Sequence, residues 1–199
     1  MGDPAAALIG FIRHGPTDWN AEKRLSGRSD VALNEAGRAM MHGRRVPPPL
    51  TSARWFVSPL LRARQTAALL GAEDATVDPR LIEMHFGAYE GRRLADLRAE
   101  GGEAFARNEA RGLDFLPPGG ESPRMVQQRL RPFLAERAAE GGAHVAVAHK
   151  GLMRAVYALA TGWDMTAKPA DRLQRDCVHL FALSADGRPQ VERLNLPLD

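Results

Sequence analysis

Apolar positions along this chain group in two ways: short unbroken runs bounded by Gly, Pro or polar residues, and residues that recur at helical spacing. The unbroken runs read as buried strands. They lie at Leu8 to Ile12, Trp55-Phe56-Val57, His144 to Ala148, Val178 to Leu183 and Val191 to Leu194, the last pair joined by a turn at Asp186-Gly187. Helical spacing fills the intervals. Asn34 is placed to cap a helix from Glu35 to about Arg45, with Ala36, Ala39, Met40 and Gly43 on its inner face and Pro47-Pro48-Pro49 as its stop. Ser58-Pro59 supplies a cap and a first-turn proline for a helix through Leu70, closed by Gly71, so that Arg62 projects from its first turn. Ser122 caps a helix carrying Val126, Leu130, Phe133 and Leu134, which Pro132 is expected to kink. Gly151 opens another helix that runs to Thr161 and stops at Gly162.

Two stretches fit neither pattern. Gly15 to Asp30 is rich in Gly, Asn, Ser and Asp and reads as a loop without regular structure. Gly91 to Leu116 is irregularly helical and rich in Arg and Glu, as a surface excursion or a lid would be. Strands that alternate with helices predict an α/β fold. With 199 residues, 44% hydrophobic and 26% charged, residues 1–199 suit one globular domain with a sizeable core.

Composition narrows the partners. The net charge is +3, the lysines are Lys23, Lys150 and Lys168 alone, and the arginines are spread along the chain, with no basic tail or aromatic-interleaved patch for nucleic acid. The apolar stretch from Ala5 to Ile12 lacks a basic leader and is too short for a secretory core or a membrane span. The lone cysteine, Cys177, sits among Val178, Leu180 and Phe181 and reads as a buried thiol in a reducing compartment. These features predict a cytoplasmic protein with no membrane contact.

The chemistry gathers at strand ends. Arg13 and His14 stand where the first strand stops, and His149 stands where a later one stops; in open α/β sheets ligands collect beyond such carboxyl ends. A neutral imidazole is a competent nucleophile toward phosphorus, and a guanidinium offers fixed donors to phosphoryl oxygens. A pair of histidines also admits a metal site, but there is no HExxH and no close Cys/His/Asp pairing at ligand spacing, so no metal and no cofactor is expected.

Taken in order, Arg13-His14-Gly15-Pro16-Thr17 with Asn20, then Gly27, Asp30 and Leu33, Ser58-Pro59-Leu60 with Arg62-Ala63 and Thr66-Ala67, Leu81 to Gly87 with Glu90-Gly91, Gly119-Gly120-Glu121-Ser122, and Val147-Ala148-His149 with Gly151 and Arg154 resemble the motifs of the histidine phosphatase superfamily, the phosphoglycerate-mutase-like group. Glu83 to Gly91 resembles the third motif of its alpha-ribazole phosphatase-like members. The resemblance implies a three-layer sandwich with a mostly parallel central sheet and helices on both faces. It implies His14 as the nucleophile, Arg13, Arg62 and His149 as the phosphate pocket, with His149 counted among the catalytic groups, Asn20 as a further hydrogen-bond partner, and Glu83 as the proton donor. Thr17, Ser26, Gly27, His85 and Lys150 are candidate substrate contacts; Lys150 departs from the glycine that many members carry there. His42, His144 and His179 are expected to have no chemistry, and capping suffices to explain Ser122.

The activity implied is metal-independent hydrolysis of a small phosphorylated metabolite through phosphohistidine. The alternatives are a phosphoglycerate mutase, for which Arg92 and Arg93 would meet the substrate carboxylate, and a non-catalytic phospholigand-binding module.

Overall fold

The computed structural model describes residues 7–199, so Ala5 and Ala6, the start of the first apolar stretch, lie outside the described residues. The strands are β1 (Ala7–Arg13), β2 (Arg54–Val57), β3 (Thr76–Val77), β4 (Ala143–Ala148), β5 (Cys177–Leu183) and β6 (Pro189–Pro197). The helices are α1 (Asp18–Ala21), α2 (Glu35–Met41), α3 (Leu61–Leu69), α4 (Leu94–Glu109), α5 (Pro123–Glu140) and α6 (Lys150–Thr161). They build a six-stranded sheet in the order β3-β2-β4-β1-β5-β6. β1 to β4 run parallel, whereas β5 runs antiparallel to β1 and β6 antiparallel to β5. The expected mostly parallel α/β sheet is the architecture observed.

Period-2 alternation divides the strand residues between two cores. Ile9 and Phe11 of β1, Ala146 and Ala148 of β4 and Phe181 of β5 pack beneath α5 and α6, against Leu130, Phe133, Leu152 and Val156. Ile12, Val145, Val147 and Val178 face the other way, toward Met41 of α2 and Ala63 and Ala67 of α3. Helices therefore cover both faces. Phe11, Phe133 and Phe181 are each almost fully buried, and each such side chain stabilises the fold by about 2 kcal/mol.

Several local expectations are corrected. Within the stretch read as an irregular loop, Thr17 and Asn20 form a reciprocal capping box that nucleates the short helix α1. α2 ends at Met41 rather than near Arg45, and its buried positions are Gly37 and Met41, while Ala36, Ala39 and Gly43 are exposed. The inner face is rotated because the helix backbone lies against the loop after β1; a Cβ on Gly37 would sit 2.1 Å from the Pro16 carbonyl oxygen. α3 begins at Leu61 with no side-chain cap of its own, and Asp30 Oδ1 accepts the Leu61 N–H at 2.7 Å in place of one. α4 bends at Gly102 and is followed by a 3₁₀ turn at Gly112–Asp114, which resolves the irregular Arg/Glu-rich stretch. α5, capped by Ser122 as expected, passes through Pro132 without interruption. β6 is longer than the run at Val191 to Leu194, and β3 was not predicted: its two residues are exposed and leave no apolar signal. No helix among the described residues is long and apolar enough to cross a membrane.

Candidate active site

The parallel register aligns the strand ends. Arg13 pairs with Ala148, and the His14 N–H donates to the Ala148 carbonyl at 3.0 Å, while the Ser58 N–H donates to the Val147 carbonyl at 3.1 Å. His14, Ser58 and His149 thus leave neighbouring strands at one edge, and the two imidazole rings lie 5.2 Å apart. Both rings are buried.

A hydrogen bond fixes the tautomer of His14. His14 Nδ1 lies 2.7 Å from the Gly15 carbonyl, which can only accept, so Nδ1 carries the hydrogen and Nε2 keeps its lone pair. Ser58 Oγ accepts the Leu60 N–H at 3.4 Å and lies 2.7 Å from His149 Nε2. Where that hydroxyl donates to Nε2, the ring hydrogen of neutral His149 sits on Nδ1, a buried atom with no partner among the described residues. Ser58 was expected as a helix cap; it is a positioning residue for His149 instead.

Burial, followed by the positive charges of Arg62 and Arg13, pushes the His14 ring well below the ordinary imidazole range; burial and then Arg62 do the same to His149. Both are neutral at neutral pH. In the unfolded chain they titrate near 6.5, so below about that pH the unfolded state binds more protons than the folded one. Stability falls as pH drops from there toward the folded values. A carbon-13 titration of the two ring Cε1–H signals should stay flat between about pH 6 and 7, where a free imidazole is half-titrated. A midpoint in that interval for either ring would contradict the neutral pair.

Arg62 is fully buried on the first turn of α3, as expected, and donates to the carbonyls of Gly27 at 2.7 Å and Ser29 at 2.8 Å. Its Nε–H has no partner among the described residues, and neither has that of Arg13. Burial, and next to it Arg175, lowers the Arg13 pKa to about 9, which leaves it protonated at neutral pH. Glu83 is buried beneath the start of α6, where Oε1 accepts the N–H groups of Met84 at 2.8 Å and Leu152 at 3.0 Å, and Oε2 accepts that of Gly151 at 2.9 Å. Oε1 is thereby saturated, whereas Oε2 retains a lone pair that can carry a proton. The approach needs glycine at 151, since a Cβ there would lie 2.7 Å from Oε1.

A cavity of about 600 Å³ opens over these groups, lined by Arg13, His14, Asn20, Arg62, Glu83 and Lys150 and also by Ser26, Gly27 and residues of the α4 region. Thr17, His85 and His149 do not line it, the His149 ring being fully buried beside that of His14. The Thr17 hydroxyl is spent on capping α1, and the His85 ring lies 3.6 Å from Glu90. Of the remaining histidines, His42 ends α2, while His144 and His179 are buried within β4 and β5. The sequence reading missed Arg175, which lines the cavity and donates to Asn20 Oδ1 at 3.0 Å and to the His14 carbonyl at 3.3 Å. Its signal was positional: it precedes β5, whose Val178 pairs with Ile12, so it enters beside the end of β1. Among the described residues no three His, Cys, Asp or Glu side chains converge as metal ligands.

The family model for the histidine phosphatase superfamily (branch 1) matches residues 9–197. Phosphoglycerate mutase-like protein 4 of Arabidopsis thaliana is 31% identical over 188 residues, spanning 89% of this chain and 80% of that protein. Glucosyl-3-phosphoglycerate phosphatase of Mycobacterium tuberculosis is 37% identical over 174 residues, spanning 77% and 74%. The solved structure of the mycobacterial glucosyl-3-phosphoglycerate phosphatase with VO3 superposes with a TM-score of 0.77 at 28% identity, over 96% of this chain and 100% of that one.

Proposed function

The chain belongs to the histidine phosphatase superfamily, and on that premise we propose that it hydrolyses a small phosphomonoester, without a metal ion, through a phosphohistidine on His14. The observation that carries this reading is the neutral His14 ring, tied at Nδ1 and open at Nε2, among Arg13, Arg62 and Arg175.

In the first half-reaction His14 Nε2 attacks phosphorus, the N–P bond forms and the bond to the leaving oxygen breaks. That oxygen takes a proton from Glu83. Charge on the equatorial oxygens is met by Arg13, Arg62 and the Nδ1–H of His149, the electrostatic positioning that phosphoryl transfer chiefly requires. In the second, Glu83 takes a proton from water, whose oxygen attacks phosphorus as the P–N bond breaks, releasing inorganic phosphate and neutral His14. A neutral histidine and a glutamate at one cavity, as a nucleophile and an acid require, argue against a non-catalytic binding module. We place the protein in the cytoplasm, a reading supported by the buried single thiol Cys177.

Relatives named as phosphatases and as mutases both match this chain, and hydrolysis is favoured by the likeness to the solved glucosyl-3-phosphoglycerate phosphatase, which superposes over its entire length. A mutase must hold its phosphorylated product and exclude water until the group returns. With 3-phosphoglycerate in the presence of EDTA, inorganic phosphate should accumulate well ahead of 2-phosphoglycerate. Efficient isomerisation with little phosphate released would assign a mutase, and loss of all turnover in EDTA with recovery on adding magnesium would end the metal-independent reading.

The acid role of Glu83 has a graded consequence. Glu83→Gln should slow single-turnover phosphorylation of His14 by about 100-fold with alkyl phosphates and far less with p-nitrophenyl phosphate, whose leaving group needs no proton. Equal losses on both would remove Glu83 from that step.

A further inference from the structure

The catalytic groups account for only part of the positive charge at this edge. Lys150, Arg154 and Arg175 also line the cavity, and together with Arg13 they form the wall it shares with an adjoining hollow of about 850 Å³. Lys150 and Arg154 stand one turn apart on α6, where like charges repel. The Arg154 guanidinium lies 4.9 Å from the centre of the Trp163 ring, which leaves its N–H edges free, and no carboxylate among the described residues pairs with Arg13, Lys150, Arg154 or Arg175. Elsewhere the half-buried or buried arginines Arg28, Arg80, Arg129 and Arg137 are each held by a Glu or Asp. Of the two carboxylates in the adjoining hollow, that of Asp171 is engaged by the Tyr157 hydroxyl at 2.8 Å and Asp176 is exposed. Burial and the neighbouring Arg13 and Arg154 lower the Lys150 ammonium, and Glu83 opposes them only in part.

We propose that Lys150, Arg154 and Arg175 form a second anion-binding subsite along α6, which takes a carboxylate or a further phosphate carried by the substrate beyond the phosphoryl group that is transferred. This rests on the phosphatase reading and specifies its substrate class: a phosphomonoester with a second negative group, with the remainder of the molecule lying in the hollow walled by Trp163. Charge-assisted hydrogen bonds from a guanidinium in a partly enclosed site give the second anion its affinity.

The test compares matched substrates. 3-Phosphoglycerate and glycerol 3-phosphate differ by a carboxylate, and fructose 1,6-bisphosphate and fructose 6-phosphate differ by a phosphate. The wild type should favour at least one doubly anionic member by about tenfold or more in kcat/KM, and whichever pair shows the preference identifies the anion. Arg154→Gln should collapse that preference, and Arg154→Lys, which retains the charge over Trp163, should recover part of it. No preference in either pair, or a proportional fall on both members of the preferred pair in Arg154→Gln, would overturn the subsite. Calorimetric binding of the same pairs to His14→Ala reads the subsite without turnover: the doubly anionic compound should bind about tenfold more tightly, and equal affinities would overturn it. A wild-type protein inert on all four compounds that still shows this binding difference would instead count against the phosphatase reading.

Discussion

His14→Ala should abolish turnover, with kcat lowered by at least about 10⁴-fold, while the protein remains folded. The side chain makes its single hydrogen bond to the carbonyl of the next residue, so little of the scaffold depends on it. The other imidazole at this strand edge is poorly placed to replace it, because Nε2 of His149 is occupied by the Ser58 hydroxyl. Rapid acid-free quenching of the wild type with phosphorus-32-labelled substrate should trap an alkali-stable, acid-labile adduct, absent from the variant. Label retained at wild-type level in His14→Ala would place the nucleophile elsewhere. Full activity without any trapped adduct would favour direct attack by water.

Replacement of Arg62 should have the second largest effect, and it should appear in two measurements. Arg62→Ala removes a donor to the transferred phosphoryl group from a site shielded from water, where such a donor contributes about 10²–10³-fold in rate. It also orphans the Gly27 and Ser29 carbonyls and vacates a fully buried volume, which should cost about 3 kcal/mol of stability in urea unfolding. Glu90 still holds the same loop through the N–H groups of Arg28 and Ser29, each at 2.9 Å, so the protein should remain folded at room temperature. Arg62→Lys should restore part of the stability and less of the rate, because an ammonium cannot span two carbonyls and still present a planar fork to phosphate. If Arg62→Ala retained wild-type kcat/KM, Arg62 would be a structural clamp on the loop and no part of the phosphate pocket.

Most of the architecture was legible because period-2 and helical spacing report directly on which side chains are removed from water. β1, β4 and β5 with α5 and α6 carry uninterrupted apolar signals and lie where those signals put them. What failed was encoded weakly or elsewhere. β3 buries nothing, so it has no pattern. α1 is too short for periodicity and exists through the Thr17 and Asn20 capping box. The inner face of α2 was misjudged because a glycine, which hydrophobicity ignores, makes the closest contact with the loop after β1.

For the site, the sequence by itself determined which chemistry is available: a strand ending in Arg13-His14, a second ending at His149, an arginine on a first helical turn and a glutamate at 83 are composition and order, readable without coordinates. The tertiary structure decided what those groups are. Only the parallel register of β1 with β4 brings the two imidazoles to 5.2 Å, and only burial with the surrounding arginines keeps them neutral. Ser58 orients His149, and Arg175 enters the cavity from the far end of the chain, because β5 returns antiparallel beside β1. Residue identity fixes the donors, acceptors and charges a chain can offer. Their tautomers, protonation and aim depend on partners distant in sequence, whose proximity is created only when the sheet closes its hydrogen bonds.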